Sequence, residues 1–435
     1  MKGRLNLFQA AMLRWRELHP YNAVHAVRID RPLDAARLGQ VVNSVLTARG
    51  LTGLELDVAR ARFEYKGGAA ASTIAVLDGG ESPMRVLASA IERELNVPFP
   101  RDGPLVPFRF FVVSAGGGFH LALTYDHFIA AGDSIVVLLA GIYDGYCANG
   151  VATGDGRRYQ RYPATCTRLF RRHPGALLAG IRRLGEMAGS ARRSVRPRYP
   201  RGSDLHNGFA HCRIEPAEFV AVRRTAKTWN VTVNDLLLAV LLDTLAPVVG
   251  ERPPAERRRE LAVASIVNLR GDFGYDVGTT FGQFLSSFRV SHPMPPGTTL
   301  ERLARDIHAD TTRVKRERLY LQNLVAIGAT GLFWRFLSSA QRRGFHAKNY
   351  PAWGAITMIN VDPLWAAAGA RTPPPEYVRA VATGPLAPLI VAVTTSADVL
   401  HAGISYRTTA FAAADVDAIA AGIVDRARTL SREHA

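Results

Sequence analysis

Hydrophobic positions in the first half of the chain switch repeatedly between helical spacing and the alternation typical of a strand. Helical spacing predicts helices over 7–18, 34–50, 82–96 and about 133–148, and the second of these ends at Gly50. Alternating or wholly apolar runs predict strands over 24–29, 107–113 and 119–125. The glycines Gly116–Gly118 join the last two strands as a hairpin.

The second half repeats this style, so the pattern predicts two mixed α/β lobes in succession. It predicts helices over 215–229, 233–249, 300–316, 320–341 and 413–430, and strands over 261–269, 281–290, 355–361, 389–395 and 400–406. We therefore predict an N-terminal lobe over 1–160, a linker over 161–201 and a C-terminal lobe over 202–435. A functional site is expected between the lobes, where ligands commonly bind.

Length and composition fit this division, because 435 residues with 48% hydrophobic content suffice for two cores of roughly 200 residues each. No run reaches the ~18 to 20 apolar residues of a membrane span, and the first residues lack the apolar centre of a signal peptide. We expect a cytoplasmic protein. The three cysteines, Cys147, Cys166 and Cys212, are far apart, so the sequence signals neither a disulfide framework nor a zinc site, and no metal is expected.

The net charge of +17 comes from arginine, which supplies 49 of the 54 basic residues. Residues 157–201 carry 13 arginines against a single acid, Glu186. An apolar stripe at helical spacing runs through this segment opposite Arg182 and Arg183, and consists of Leu177, Ile181, Leu184 and Ala188. Two interpretations stay open: a solvated linker, or a docking surface for an acidic partner or for an anionic membrane, with peripheral association. Nucleic acid is not an expected partner, because no zinc-finger, helix-turn-helix or RNP signature accompanies the charge.

The stretch most informative about chemistry is Leu121–Ser134, LALTYDHFIAAGDS. An alternating strand delivers His127 onto a loop of small residues just before the next predicted helix. A histidine placed there is held by the strand yet open on one edge, as a general base must be to come within about 3 Å of the proton that it removes. The alternative is a structural loop histidine. His25 and His120 receive only the structural interpretation.

The segment YDHFIAAGDS resembles the HHxxxDGxS motif of the chloramphenicol acetyltransferase-like superfamily, which includes nonribosomal peptide condensation domains, wax ester synthase-type acyltransferases and BAHD plant acyltransferases. His127 stands at the second, catalytic histidine of the motif, Gly132 at its glycine and Ser134 at its serine. The chain departs from the motif twice, since Asp126 replaces the first histidine and Ala131 replaces the aspartate.

Other stretches resemble the same superfamily in the expected order and together span most of the chain. They are NVTVNDLLLAVLLDTL at 230–245, IVNLR at 266–270, FGQF at 281–284 and LHAGISYRTTAF at 400–411. The resemblance implies an α/β fold of two similar chloramphenicol acetyltransferase-like lobes, each a mixed sheet flanked by helices, with an interlobe channel.

The resemblance also implies acyl transfer with His127 as general base and with no tightly bound cofactor. The donor would be an acyl-CoA or acyl-carrier-protein thioester, the acceptor a small-molecule hydroxyl or amine, and an acidic acyl carrier protein a candidate partner. Ester formation is the first hypothesis and amide formation, as in a free-standing condensation enzyme, the second. A catalytically silent relative that binds an acyl carrier or another partner stays open, because Ala131 breaks the motif.

In the superfamily the motif aspartate bonds an arginine and shapes the loop. Asp133 could replace it by pairing with Arg270, or could serve only as the N-cap of the helix that follows. Acyl transfer also needs a hydrogen-bond donor for the oxyanion of the tetrahedral intermediate. The resemblance puts that donor in the second lobe, and the candidates for the oxyanion site or the channel are Thr357, Asn360 and Ser396.

Overall fold

The protein was analysed as a computed structural model, which describes residues 1–70, 72–100, 105–148, 159, 166–250, 257–369, 374, 376–396 and 398–433. The first part of the chain forms β1 (Lys2–Arg4), α1 (Leu7–Arg16), β2 (Asn22–Ile29), α2 (Ala35–Arg49), β3 (Leu54–Asp57), β4 (Arg62–Tyr65), β5 (Ile74–Leu77), α3 (Pro83–Asn96), β6 (Phe108–Ala115), β7 (Gly118–Asp126) and α4 (Gly132–Cys147). Two helices of the predicted linker follow, α5 (Cys166–Arg172) and α6 (Pro174–Arg193).

The rest of the chain begins with β8 (Asn207–Ile214), α7 (Pro216–Thr228), α8 (Val233–Val249), β9 (Leu261–Asn268), α9 (Arg270–Phe273), β10 (Leu285–His292), α10 (Leu300–Arg316), α11 (Leu321–Phe333) and α12 (Ser339–Asn349). It ends with β11 (Gly354–Asn360), α13 (Val361–Ala367), β12 (Tyr377–Val381), β13 (Leu389–Ser396), β14 (Val399–Arg407) and α14 (Ala413–Arg432).

Two mixed sheets organise these elements, as the sequence predicts. The first has the strand order β12-β2-β7-β6-β5 and the second the order β10-β9-β11-β13-β14-β8, while β1, β4 and β3 form a small third sheet. The predicted hairpin of β6 and β7 is present, and Ala115 pairs with Gly118 at its turn. Helices α4 and α8 are almost wholly apolar because most of their residues are buried between a sheet and other helices.

One strand from the C-terminal half of the chain belongs to the first sheet. Strand β12, from the C-terminal half, pairs antiparallel with β2 and completes the first sheet, so that Arg379 lies opposite His25 and Val381 opposite Ala23. The division at residue 202 does not apply to this strand. The crossing is central to the site, because it brings side chains of the C-terminal half beside the end of β7.

Two local predictions were wrong, and several strands were not predicted. The strand predicted over 281–290 begins only at Leu285, and the residues before it form a loop. The helix predicted over 320–341 is divided into α11 and α12 by the short 3-10 turn Trp334–Phe336, after which Ser338 caps α12 with a reciprocal capping box to Gln341. Strands β8 and β12 were missed, because β8 carries mixed polar residues and β12 is only five residues long.

No single helix among the described residues is long and apolar enough to cross a membrane. The pair α7 and α8 passes such a test by length and composition together, but the two helices are bent by 104°.

Candidate functional site

The loop between β7 and α4 carries His127. Strand β7 ends at Asp126, whose position in the sheet is fixed by its pairing with Asn22 of β2. The backbone N–H of His127 then donates to the carbonyl of Tyr21 at 3.0 Å, just before β2 begins. The backbone of His127 is therefore fixed at the end of β7, although the residue itself is not part of the strand.

The ring of His127 is oriented by a bond within its own loop. Its Nδ1 lies 3.2 Å from the carbonyl oxygen of Ala130. A carbonyl can only accept, so Nδ1 carries the hydrogen of the neutral ring and Nε2 keeps its lone pair. Burial, helped by the nearby Arg379 charge, lowers the pKa of His127 to about 4, so the ring is neutral at physiological pH.

His127 lines a cavity of about 390 Å³ whose walls come from both halves of the chain. The polar side chains around it include Tyr21, Tyr125, Thr357 and Arg379. Most of the remaining wall is apolar and includes Phe8, Met12, Ile266, Leu285, Ile327, Phe345, Met358, Ile359, Leu386 and Ile390. Its size and its mainly apolar wall, which also carries polar side chains such as Asp133, Asn268 and Asn323, are those of a small-molecule site.

Asp133 does not occupy the N-cap of α4. That position belongs to Ala131, which offers no side-chain acceptor, and Asp133 lies in the first turn of the helix. Its Oδ2 accepts from Arg270 Nε at 2.8 Å and from Asn268 Nδ2 at 2.8 Å. Between the two interpretations of Asp133 given by the sequence, the geometry is that of an arginine partner.

Arg270 holds several parts of the site together. Its Nη2 donates to Ser134 Oγ at 2.9 Å, and its Nη1 donates to the carbonyl of Thr280 at 2.7 Å. The guanidinium also stacks over the ring of Phe284, 4.2 Å from the centroid. Arg270 itself is buried in the first turn of α9.

The FGQF segment (residues 281–284), in the second half of the chain, forms hydrogen bonds with the loop that carries His127. Gln283 Nε2 donates to the carbonyl of His127 at 2.8 Å and to that of Ala130 at 3.3 Å. The carbonyl of Gly282 accepts from the Ala131 N–H at 2.9 Å and from Ser134 Oγ at 3.3 Å. The loop is thus held by four hydrogen bonds to a segment that the sequence had assigned to a strand.

Asp126 lies outside the cavity lining. Its carboxylate, which is almost fully buried, pairs with Arg16 of α1. Burial raises the pKa of Asp126, and the Arg16 charge opposes that shift. The structure therefore places Asp126 in a salt bridge behind the loop, while Gly132 lines the cavity itself.

The three candidates for the oxyanion site or the channel fall in different places. Thr357 lines the cavity, and its carbonyl oxygen accepts from Arg379 Nη2 at 2.9 Å. Asn360 is an exposed residue whose side chain caps α13. Ser396 donates to the carbonyl of Pro374 at 3.1 Å. Neither Asn360 nor Ser396 lines the cavity.

Sequence reasoning missed one residue of the cavity wall, Arg379, whose neighbour across the sheet is His25. Both are buried on adjacent strands of the first sheet, where they lie opposite each other. His25 Nδ1 lies 2.8 Å from Tyr377 Oη, and its Nε2 lies 3.4 Å from Tyr125 Oη. An arginine in a short, otherwise apolar run was the only available signal for Arg379. Among the described residues, no cluster of three or more His, Cys, Asp or Glu side chains could hold a metal ion.

Solved condensation domains share this fold. The condensation domain of the Monacolin K polyketide synthase MokA is 12% identical, with a TM-score of 0.67 over 99% of this chain and 98% of that chain. The first condensation domain of the calcium-dependent antibiotic synthetase, in complex with a substrate analogue, is 15% identical, with a TM-score of 0.69 over 99% and 97%. The X-domain from teicoplanin biosynthesis is 17% identical, with a TM-score of 0.59 over 99% and 95%.

No family model matches the chain, and no curated protein matches it either. At the identities of the solved structures the likeness establishes the fold. The two-lobed α/β fold implied by the sequence motifs is therefore confirmed.

Proposed function

We propose that this protein is an acyltransferase that moves an acyl group from a coenzyme A or carrier-protein thioester to a hydroxyl or amine. The observation that carries the proposal is the setting of His127, whose Nδ1 is bonded to the Ala130 carbonyl and whose ring lines the interlobe cavity. A neutral ring with Nε2 unprotonated is the form that a general base needs.

In this proposal His127 Nε2 accepts the proton of the acceptor as the acceptor oxygen or nitrogen bonds to the thioester carbonyl carbon. The carbonyl electron pair moves onto oxygen and forms a tetrahedral intermediate. When the carbon–sulfur bond breaks, the carbonyl reforms and the departing thiolate receives the proton from His127 Nε2. The protein is returned to its starting state, so the reaction needs no redox cofactor.

In this proposal Asp133 replaces the motif aspartate in its structural role, which is to pair with an arginine and shape the loop. Because Ala131 has no carboxylate, the pair of Asp133 with Arg270 supplies the charge contact from the first turn of α4. Ser134 and Gly132 keep their motif positions beside it. Ester formation stays the first hypothesis for the product and amide formation the second.

The donor thioester would meet the basic segment as it approaches. Arg171 and Arg182 are exposed and make no ion pair with a described residue, while Arg183 is paired with Glu317 at 2.8 Å. Arg157, Arg158 and Arg161 lie outside the described residues. Exposed arginines would attract an acidic carrier protein or the phosphates of coenzyme A.

An anionic membrane is the competing partner for this segment, and a cytoplasmic location stays a prediction. The apolar stripe that motivated the idea is only partly exposed, since Ile181 is 65% exposed and Leu177 is half-buried. The side chain of Leu184 lies outside the described residues.

A second candidate function is partner binding without catalysis. The departure at Ala131 favours it, and the X-domain from teicoplanin biosynthesis, a protein of similar fold, has been solved in complex with OxyB. In this case His127 would be a structural loop residue.

The test is turnover of a panel of acyl-coenzyme A and acyl-pantetheine thioesters by the wild-type protein and by His127→Ala. We expect turnover by the wild-type protein and a loss of roughly 10²-fold or more in the variant, because the proton acceptor is gone. His292→Ala, which removes a histidine paired with Asp306 far from the loop in sequence, is the control. Equal turnover in His127→Ala and wild type would overturn the role of His127, and no turnover in either protein would favour partner binding.

A further inference from the structure

A buried guanidinium in the cavity wall has no carboxylate partner. Arg379 of β12 is 2% exposed and lines the cavity. No carboxylate of the described residues lies within ion-pair distance of it, whereas Arg270 in the same site is paired with Asp133. Burying an unpaired charge is costly, so a buried arginine ordinarily has an anionic partner. The absence of such a partner indicates that Arg379 contacts a negative charge that is present only during the reaction.

Three hydrogen bonds fix the orientation of this guanidinium. Nε donates to Thr394 Oγ1 at 2.8 Å, and Nη2 donates to the carbonyls of Thr357 at 2.9 Å and Val393 at 2.6 Å. These bonds use Nε–H and both hydrogens of Nη2. Only Nη1 remains without a hydrogen bond to a described residue, and it carries two hydrogens.

Nη1 lies beside the loop of the proposed base. A Cβ atom built on Gly132 would be 3.3 Å from Arg379 Nη1 and 3.3 Å from His25 Cε1. Gly132 is the first residue of α4, and it lines the same cavity as His127. The Arg379 charge also contributes to the low pKa of His127, as a cation near an imidazole does.

The number of available donors indicates what kind of anion fits. Arginine binds a carboxylate through two nitrogens that donate in parallel. Here Nε and Nη2 are occupied, so only one nitrogen can reach a ligand, and that arrangement suits a single oxygen.

We propose that Arg379 Nη1 donates to the oxyanion of the tetrahedral intermediate. This inference rests on the proposed acyl transfer. As the acceptor adds to the thioester carbon and its proton passes to His127 Nε2, the carbonyl electron pair moves onto the oxygen that Nη1 faces. Collapse of the intermediate returns the pair to the carbonyl bond and expels the thiolate, which takes the proton from His127. Arg379 keeps its protons throughout, since burial lowers its pKa only to about 10.

Thr357 and Thr394 act as positioning residues in this arrangement. The Thr357 contribution to this arrangement is made by its backbone carbonyl. The Thr394 hydroxyl is the acceptor that a substitution can remove.

The experiment compares kcat and KM of wild type, Arg379→Gln and Arg379→Lys with the best thioester and acceptor from the panel. We expect kcat to fall about 10²- to 10³-fold in Arg379→Gln while KM for the donor changes less than about threefold, because the lost bond forms only in the transition state. Arg379→Lys should recover part of kcat. Arg407→Gln is the matched control, since Arg407 is equally buried and donates to the carbonyl of Gly384, and neither of these residues lines the cavity.

A binding measurement separates this role from a structural one. A pantetheine trifluoromethyl ketone adds water or the acceptor hydroxyl, whose proton passes to His127, and so gives a tetrahedral adduct with the geometry of the intermediate. Its affinity should fall in Arg379→Gln by about the factor lost in kcat, and the affinity of the corresponding methyl ketone, which adds water poorly, should not. If Arg379→Gln does not fold, Thr394→Val replaces it and should show a smaller loss of the same kind.

Unchanged kcat in a folded Arg379→Gln protein, or equal losses of affinity for the two ketones, would overturn the proposal. A rise in KM confined to substrates that carry a carboxylate would also overturn it, and would assign Arg379 to substrate anchoring. Failure of the proposed acyl transfer is distinguished from these outcomes, because it would appear as no turnover by the wild-type protein.

Discussion

Asp133 Oδ2 lies 2.8 Å from Arg270 Nε, although the two residues are 137 positions apart in the chain. Both side chains are buried, with exposed fractions of 6% and 8%. The pair joins the first turn of α4 to the first turn of α9, so it fixes the loop of His127 to the C-terminal half of the chain.

Asp133→Asn tests the energy of this contact. Asparagine has nearly the same shape as aspartate, but it leaves the buried guanidinium of Arg270 without a countercharge. We expect the free energy of unfolding, measured by urea denaturation, to fall by about 3 kcal/mol. Asp243→Asn is the control, because Asp243 pairs with Arg426 at a partly exposed site and should cost about 1 kcal/mol or less. Equal losses in the two variants would contradict a buried ion pair.

Gly132→Ala tests how closely the site is packed around the start of α4. The new Cβ would lie 2.6 Å from Ile359 Cδ1 and would crowd Arg379 Nη1. We expect a loss of about 1–3 kcal/mol in stability together with a lower kcat.

Gly141→Ala in the same helix is the matched control. Its Cβ would meet only Val45 Cγ1, at 3.8 Å, so the better helix propensity of alanine should raise stability by about 0.5–1 kcal/mol. A Gly132→Ala protein that behaved like Gly141→Ala would show that the space beside Arg379 is not restricted.

Stability should fall as the pH falls from about 6.5 toward 4. Burial lowers the pKa of His127, His211 and His346 to about 4 and that of His401 to about 3. Below pH 6.5 the unfolded chain takes up protons on these residues and the folded chain does not, so protonation favours unfolding.

The expected slope is up to about 1.4 kcal/mol per pH unit for each histidine that stays neutral, measured by urea denaturation between pH 5 and pH 7. His346→Phe should flatten the slope, because the buried ring of His346 packs against Trp15 and Trp334 and phenylalanine cannot take up a proton. A stability that did not change across this range would contradict the buried neutral state of these rings.

The double variant Arg171→Gln/Arg182→Gln tests the basic segment. Because these arginines are exposed and unpaired among the described residues, stability should not change, while kcat/KM for a thioester on an acidic carrier should fall roughly threefold or more at low salt and vary less with salt. Arg183→Gln is the comparison, since it breaks a bond to Glu317 and should lower stability.

The same double variant separates the partners. A thioester of pantetheine, which lacks the acidic carrier, should react normally. Loss of binding to anionic phosphatidylserine vesicles with unchanged carrier kinetics would assign the segment to a membrane. If neither property moves, the segment is a solvated linker.

The sequence by itself determined the helices and strands that depend only on the spacing of neighbouring residues. Changes in the spacing of hydrophobic residues predicted the hairpin of β6 and β7 and the helices on both sides of the linker. This spacing shows which face of a helix or strand is buried. The ordered motifs implied the two-lobed fold that solved condensation domains share. They also singled out His127, whose position follows from the end of one strand.

Only the tertiary structure decided the partners in the site. Whether Asp133 meets Arg270 or caps a helix depends on a contact between distant segments, and local spacing is the same in either case. Gln283 binds the carbonyl of His127 because its segment forms a loop and not a strand. Arg379 lines the cavity because β12 pairs with β2 of the first sheet. Hydrophobic spacing shows that a side chain is buried, whereas the identity of its neighbour is set by how the two sheets are assembled.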